Sequence, residues 1–394
     1  MKVTQVETFF CEAGWRPWIF VKITTDTGPI GWSEVTDSHG SPLGLKGCIE
    51  TLAKKTVIGS DPRNINAIFW DLYRHTRQTP GGLIQKAIAA IENALWDIKA
   101  KDLGVPVYEL FGGKVRDKIE LYWSHCATTR VRASHHVGQP AINNLDDLGR
   151  FCSDVVTKSG YTACKANIFD FTGDSPQVYM PGFQGPAGTV ERNPSKHILK
   201  CIDIQLKTMR EALGSDFGIC LDLNFNFNLE GCQRVLEIVE KYDLLWLEMD
   251  HFDPKALEKI THSTSVCVAS GENLYGLRQF EPFLQDHSMN VALIDVIWNG
   301  MIESRKIAEM AEIHETNLAP HNYYSHLSTL ISAQFCITTP NLRIMEVDVD
   351  DVPWREELIT DIPSIENGYL ELSNKPGWGA DINEEVLRKH EWHG

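Results

Sequence analysis

The chain has 394 residues, 43% hydrophobic and 9% aromatic, enough to bury a large core and to exclude an intrinsically disordered protein. Its 53 Asp and Glu against 37 Lys and Arg give a formal net charge of -16, which excludes bulk attraction to nucleic acid or anionic lipid. A small-molecule ligand is the expected partner, and an anionic one is compatible with this acidity where a bound divalent ion reverses the local charge.

The opening MKVTQVETFFCEAGW places Lys2, Glu7 and Glu12 among its apolar positions, so no signal peptide is expected. No apolar run reaches the ~18 residues of a membrane span. Ten cysteines are scattered without a C-x-x-C pair, several in apolar runs such as Cys220 in GICLDL and Cys267 in VCVAS, which reads as buried thiols in a cytoplasmic protein.

In chain order, VTQVETFF and WIFVKITT read as strands, and the turn at Thr27-Gly28 before PIGWSEV makes an antiparallel start. Ile84, Ile88, Ile91, Leu95 and Ile98 then recur at spacings of four and three, one apolar face of a long helix closed by Leu103-Gly104-Val105-Pro106. Residues 1–118 are therefore expected to form an α+β lobe.

Over 119–361 the pattern changes to short apolar runs that end in a polar residue and lead into a helical segment: TACKAN, GICLDLN, LLWLEMD, VCVASGEN, ALIDVIWN, TNLAPHN and LRIMEVD. Their polar ends Asp222, Glu248, Glu272, Asp295, His321 and Glu346 are 26, 24, 23, 26 and 25 positions apart. A βα period this regular fits a closed (β/α)8 barrel, an α/β fold whose strand ends share one mouth. The Gly- and Pro-rich stretch 168–198 interrupts the period and reads as a long loop at that mouth. No glycine-rich nucleotide fingerprint follows any strand.

Three carboxylates on successive strand ends, Asp222, Glu248 and Glu272, make an all-oxygen set suited to Mg2+, which would also relieve their mutual repulsion. Asp295 ends the strand before His321, where a carboxylate would fix the tautomer of the imidazole and raise its basicity for taking a proton from carbon. Lys165 is the cation on the other side.

The start MKVTQVETF, GWSEV, AIAAIENALWDIKAKDLGVPVYELFGG, LDLN, LEMD, SGEN, LAPH, IMEVD and the closing KPGWGADINEEVL together resemble the mandelate racemase and muconate lactonizing branch of the enolase superfamily. Within that branch the chain is most similar to acid-sugar dehydratases of the galactonate dehydratase type. The resemblance implies Asp222, Glu248 and Glu272 as Mg2+ ligands, Asp295 and His321 as the catalytic dyad, and Glu346 beside the substrate carboxylate. It implies a lobe completed by the segment 362–394, whose loop from Cys11 to His39, with Trp15, Arg16, Trp18, Ser38 and His39, helps choose the substrate. It also implies a homo-oligomer.

Two departures bear on the subtype. Racemases of the branch carry Lys-x-Lys where this chain has Lys165-Ala166-Asn167, and the galactonate enzymes have a histidine where this chain has Asn224. The reading is then dehydration of an aldonate or aldarate, with Lys165, Asn167 and Asn224 lining the site. His321 itself, His125, His251 and His39 are the candidates for the acid. The alternatives are an epimerase or cycloisomerase of a related acid, and a catalytically silent binding protein.

Overall fold

The computed structural model describes residues 1–180 and 193–394. Three antiparallel strands open the chain, β1 (Val3–Glu12), β2 (Pro17–Thr25) and β3 (Ile30–Glu34), with β2 central. Three helices pack on them, α1 (Pro42–Leu52), α2 (Ile65–Thr76) and α3 (Gly82–Leu103). Ile19, Val21 and Ile23 of β2 meet Ile88, Ile91, Leu95 and Ile98 of α3 in the core of this lobe, and each fully buried aliphatic side chain contributes ~1.5–3 kcal/mol. Gly104 ends α3 in the left-handed conformation, φ 70°.

Helix α3 is buried on more than its apolar face. Gln85, Lys86, Glu92, Asn93 and Asp97 are also enclosed, because the helix lies between the lobe sheet and the barrel helix α8 (Val296–Ile313). Three of them bond across the seam: Gln85 Nε2 donates to the Asn299 carbonyl at 3.1 Å, and the Met301 and Ile302 amides donate to Asn93 and Glu92 at 3.2 and 2.7 Å. The lobe is thereby fixed to the barrel by directional bonds, not by apolar contact alone.

The barrel strands are β4 (Ile119–Ser124), β5 (Ala163–Ala166), β6 (Gly218–Asp222), β7 (Trp246–Glu248), β8 (Val268–Ser270), β9 (Val291–Ala292), β10 (Asn317–Leu318) and β11 (Met345–Asp348). Each pairs in parallel with the next as far as β10, β11 pairs with β4, and a parallel bridge from Leu318 to Leu342 closes the ring. Tyr122, Cys220, Trp246, Ala269, Val291, Leu293, Ala319 and Ile344 fill its interior. The expected (β/α)8 architecture is what the chain adopts, and it brings all the polar strand ends to one mouth.

The stretch 168–198 is not loop throughout. Phe169–Asp170 pairs with Gln177–Val178 in a small antiparallel ribbon, and a helix already begins at Lys196. Residues 181–192 of that expected loop lie outside the described residues. Within 362–394, the hairpin Ser364–Glu366/Tyr369–Glu371 first extends the barrel sheet at β4. Only then does the segment cross to the lobe, where the Trp378 indole donates to the Trp32 carbonyl at 2.8 Å, the Glu12 amide donates to the His390 carbonyl at 2.7 Å, and Glu384 pairs with Lys22. Among the described residues no helix is long and apolar enough to cross a membrane.

Candidate active site

The strand ends open into a cavity of about 380 Å³ between barrel and lobe. Asp222 ends β6 in register with Glu248 on β7, and Glu272 follows β8, so three acids stand on adjacent strands. Burial, opposed by Lys165 and reinforced by neighbouring acids, pushes the Glu248 carboxyl well above its usual range; burial with the charges of Asp250 and Asp222 does the same to Glu272. Glu248 Oε1 is buried with no hydrogen-bond partner among the described residues. Such an orphaned oxygen in a crowd of acids fits a divalent cation.

Among the described residues Glu248, Asp250 and Glu272 bring carboxylate oxygens within 4.8 Å of one another. Asp250 was missed in the sequence, although the period-two alternation of a strand puts it on the same side as Glu248. It accepts from the Gly271 amide at 3.1 Å and the Ser270 hydroxyl at 3.3 Å, and burial pushes its carboxyl up to about 6. Asp222 faces the same cavity but turns its carboxylate to the Asn224 amides, at 2.8 and 3.0 Å.

His321 and Asp295 meet as expected. A parallel bridge aligns them, and His321 Nδ1 lies 2.8 Å from Asp295 Oδ2. Asp295 also caps α8 by accepting from the Trp298 amide at 2.9 Å, and it accepts from the Tyr324 hydroxyl at 2.6 Å. Its position is thus set by three donors. Burial lowers the His321 pKa, but the Asp295 hydrogen bond and the charges of Glu346 and Asp295 outweigh it and the net shift is upward. Nε2 points to the acid cluster, 3.1 Å from Glu272.

Lys165 lies across from this imidazole. Its ammonium is 2.9 Å from both Glu248 and Glu346, and against burial these two charges hold its pKa well above the ordinary value. Glu346 also accepts from the Asn322 amide at 2.7 Å and the Ser124 hydroxyl. Asn167, expected to line the site, is buried behind it, donating to Asn224 at 2.6 Å and to Asp222 at 3.3 Å. It holds those two side chains in place, and Asn224 is the one that reaches the cavity wall.

The lobe supplies the facing wall with Trp15, Asp37, Ser38, His39 and Lys86. Trp18, expected here as substrate-binding, is instead fully buried in the core: it lies on β2, whereas Trp15 sits in the preceding turn and takes the position at the cavity. Trp15 stacks with His39 and with Tyr323, each at a ring-centroid distance of 5.9 Å. Burial and the Arg132 charge push His39 down to about 4. His125 lines the cavity 3.3 Å from Asp348, while His251 is off it, beside Cys232. Lys86, which the sequence did not single out, pairs with Asp37 at 3.2 Å and lies 3.6 Å over the Trp298 ring.

Known proteins resemble this chain over nearly its whole length. A D-xylonate dehydratase of Haloferax volcanii is 28% identical over 99% of this chain and 89% of its own. A D-galactonate dehydratase of Xanthomonas euvesicatoria is 26% identical over 99% of this chain and 94% of its own. A solved structure from Burkholderia xenovorans, provisionally named an L-alanine-DL-glutamate epimerase and bound to magnesium and fumarate, is 41% identical, with a TM-score of 0.95 over 99% of this chain and 96% of that one. Residues 6–112 match the family model of the mandelate racemase / muconate lactonizing enzyme N-terminal domain, and residues 147–386 match that of the enolase C-terminal domain-like family. The chain belongs to the enolase superfamily, in its mandelate racemase and muconate lactonizing enzyme branch.

Proposed function

We propose that the enzyme is a Mg2+-dependent dehydratase of an acid sugar, removing the proton α to a carboxylate and expelling the β-hydroxyl. The observation that carries this reading is the one-sidedness of the site: an Asp-backed imidazole stands on one side, and the Lys165 ammonium opposite is locked between two carboxylates. A two-base inversion needs a proton acceptor on each side, and an ammonium held this firmly is a poor one.

Glu248, Glu272 and Asp222, with Asp250, are the residues that would hold the ion. Bound there, it supplies the positive charge that stabilises the substrate carboxylate as the α-carbon loses its proton. His321 Nε2 takes that proton while Asp295 stabilises the resulting imidazolium. Lys165 adds positive charge beside the carboxylate, and Glu346 fixes Lys165. As the C–O bond to the β-hydroxyl breaks, His321 returns the proton to the departing oxygen, water leaves, and the enol product becomes a 2-keto-3-deoxy acid. His39, kept neutral by burial, has no proton to give at neutral pH.

The curated relatives named as D-xylonate and D-galactonate dehydratases support this reading. The name of the Burkholderia structure favours a second one, epimerisation, in which the α-carbon would invert without loss of water. Proton NMR of the enzyme with Mg2+ in D2O against a panel of aldonates and aldarates separates the two. A 3-deoxy-2-keto product is expected. Deuterium entering an inverted α-carbon with no water lost would replace dehydration by epimerisation. His321→Asn should abolish exchange with Mg2+ binding intact, and retained exchange would remove His321 from the role of base.

A further inference from the structure

At the Trp15 side of the cavity stands a guanidinium that forms no ion pair among the described residues. Arg132 ends the short helical turn Thr128–Arg132 after β4 and lines the same cavity as His321, Glu272 and Asp222. Among the described residues its Nε and Nη2 are buried with no hydrogen-bond partner, and Nη1 reaches only the Met180 thioether, 3.6 Å away. The group is held in place 4.3 Å over the Trp15 ring.

Other cations nearby are already matched. Lys86 has Asp37, Lys165 has Glu248 and Glu346, and Arg16 has Asp351 at 2.8 Å and the Tyr323 carbonyl at 2.8 Å. Asp348, whose charge Arg132 feels, turns its Oδ2 to His125 at 3.3 Å and Arg16 at 3.6 Å. Arg132 also feels the like charge of Arg16. A guanidinium with two nitrogens enclosed and unpartnered is costly unless an anion joins it.

The free edge has a defined shape. Nε and Nη2 form the side of the guanidinium fork with which Arg130, two residues earlier, grips both oxygens of Asp350, at 2.7 and 2.9 Å. The same edge of Arg132 therefore fits a carboxylate in two parallel bonds. A hydroxymethyl group offers one oxygen, no charge, and no such match.

We propose that Arg132 receives a second, distal carboxylate of the substrate, so that the acid sugar is a dicarboxylic aldarate and not an aldonate. This rests on the acid-sugar reading above. The proximal carboxylate would go to the ion held by the acid cluster and to Lys165, and the distal one to the free edge of Arg132.

The test is calorimetric binding, in Mg2+, of galactarate against galactonate and of glucarate against gluconate to the His321→Asn protein, in which turnover is stopped. A two-bond ion pair predicts a preference for the better-fitting diacid of ~100-fold. Adding Arg132→Met should remove that preference and leave monoacid binding within ~3-fold, while Arg132→Lys, a point charge without the fork, should keep part of it. Equal affinity for both members of each pair, no binding of either diacid, or equal loss of both acids in Arg132→Met and Arg132→Lys would overturn the inference. Diacids bound through Arg132 but never dehydrated or exchanged by the native enzyme would uphold the receptor and refute the dehydratase. Dehydration of the aldonates alone would do the reverse.

Discussion

Replacing Glu92 by glutamine probes the seam that holds lobe and barrel together. Glu92 is fully enclosed on α3, with Oε1 accepting from the Trp96 indole at 2.9 Å and the Ile302 amide at 2.7 Å, and with Oε2 unpartnered. Burial, only partly offset by these bonds, pushes its carboxyl up to about 8, whereas in the unfolded chain it titrates near ~4.3. Between those values the native state keeps a proton that the unfolded state has released. The contribution is therefore complete below the unfolded pKa and is lost as pH rises through the folded one, at up to ~1.4 kcal/mol per pH unit. From pH 5 to pH 8 this single group costs the fold about 3 kcal/mol. Glu92→Gln keeps the shape and the acceptor but cannot ionise. Urea unfolding of both proteins at pH 5, 6, 7 and 8 should show near-equal stability at the acid end and the variant ahead by about 3 kcal/mol at pH 8. Parallel pH profiles, or a variant that is weaker at pH 8, would refute the reasoning by showing that Glu92 is ionised in the fold.

Two further substitutions test the seam and the acid cluster. Gly300 interrupts α8 at φ 77°, and a methyl group there would overlap the Glu92 carboxylate; Gly300→Ala should destabilise by ~2–4 kcal/mol, read as a fall in the unfolding midpoint, and an unchanged midpoint would mean that the kink relaxes freely. Asp250→Asn should weaken Mg2+ binding by about tenfold or more in a calorimetric titration. Unaltered affinity in that variant, beside loss in Asp222→Asn, would take Asp250 out of the ion cradle.

The strand-end half of the candidate site was legible because strand ends repeat. Asp222, Glu248, Glu272, Asp295, His321 and Glu346 each close an apolar run, and a barrel carries such positions to one mouth whatever the details of its loops. The recognition half was less legible. Trp15 and Trp18 are three residues apart, and only the start of β2 at Pro17 decides that the second joins the core. Lys86 and Arg132 carry no local signature. Lys86 sits on a helix whose polar side normally faces water, and it is enclosed here because α8 packs against that side. The same packing explains why one apolar stripe understated the burial of α3. Asp250 lies just past a strand end, where the next residues are easily taken as loop.

The cavity walls have two separate origins: Asp222, His321 and Glu346 stand at barrel strand ends, while Trp15, Ser38, His39 and Lys86 come from the lobe. Inheritance can therefore act on the two independently. Changes confined to two short lobe turns and one helix position can reshape one wall of the cavity in descendants of this chain, while the strand-end residues pass to them intact.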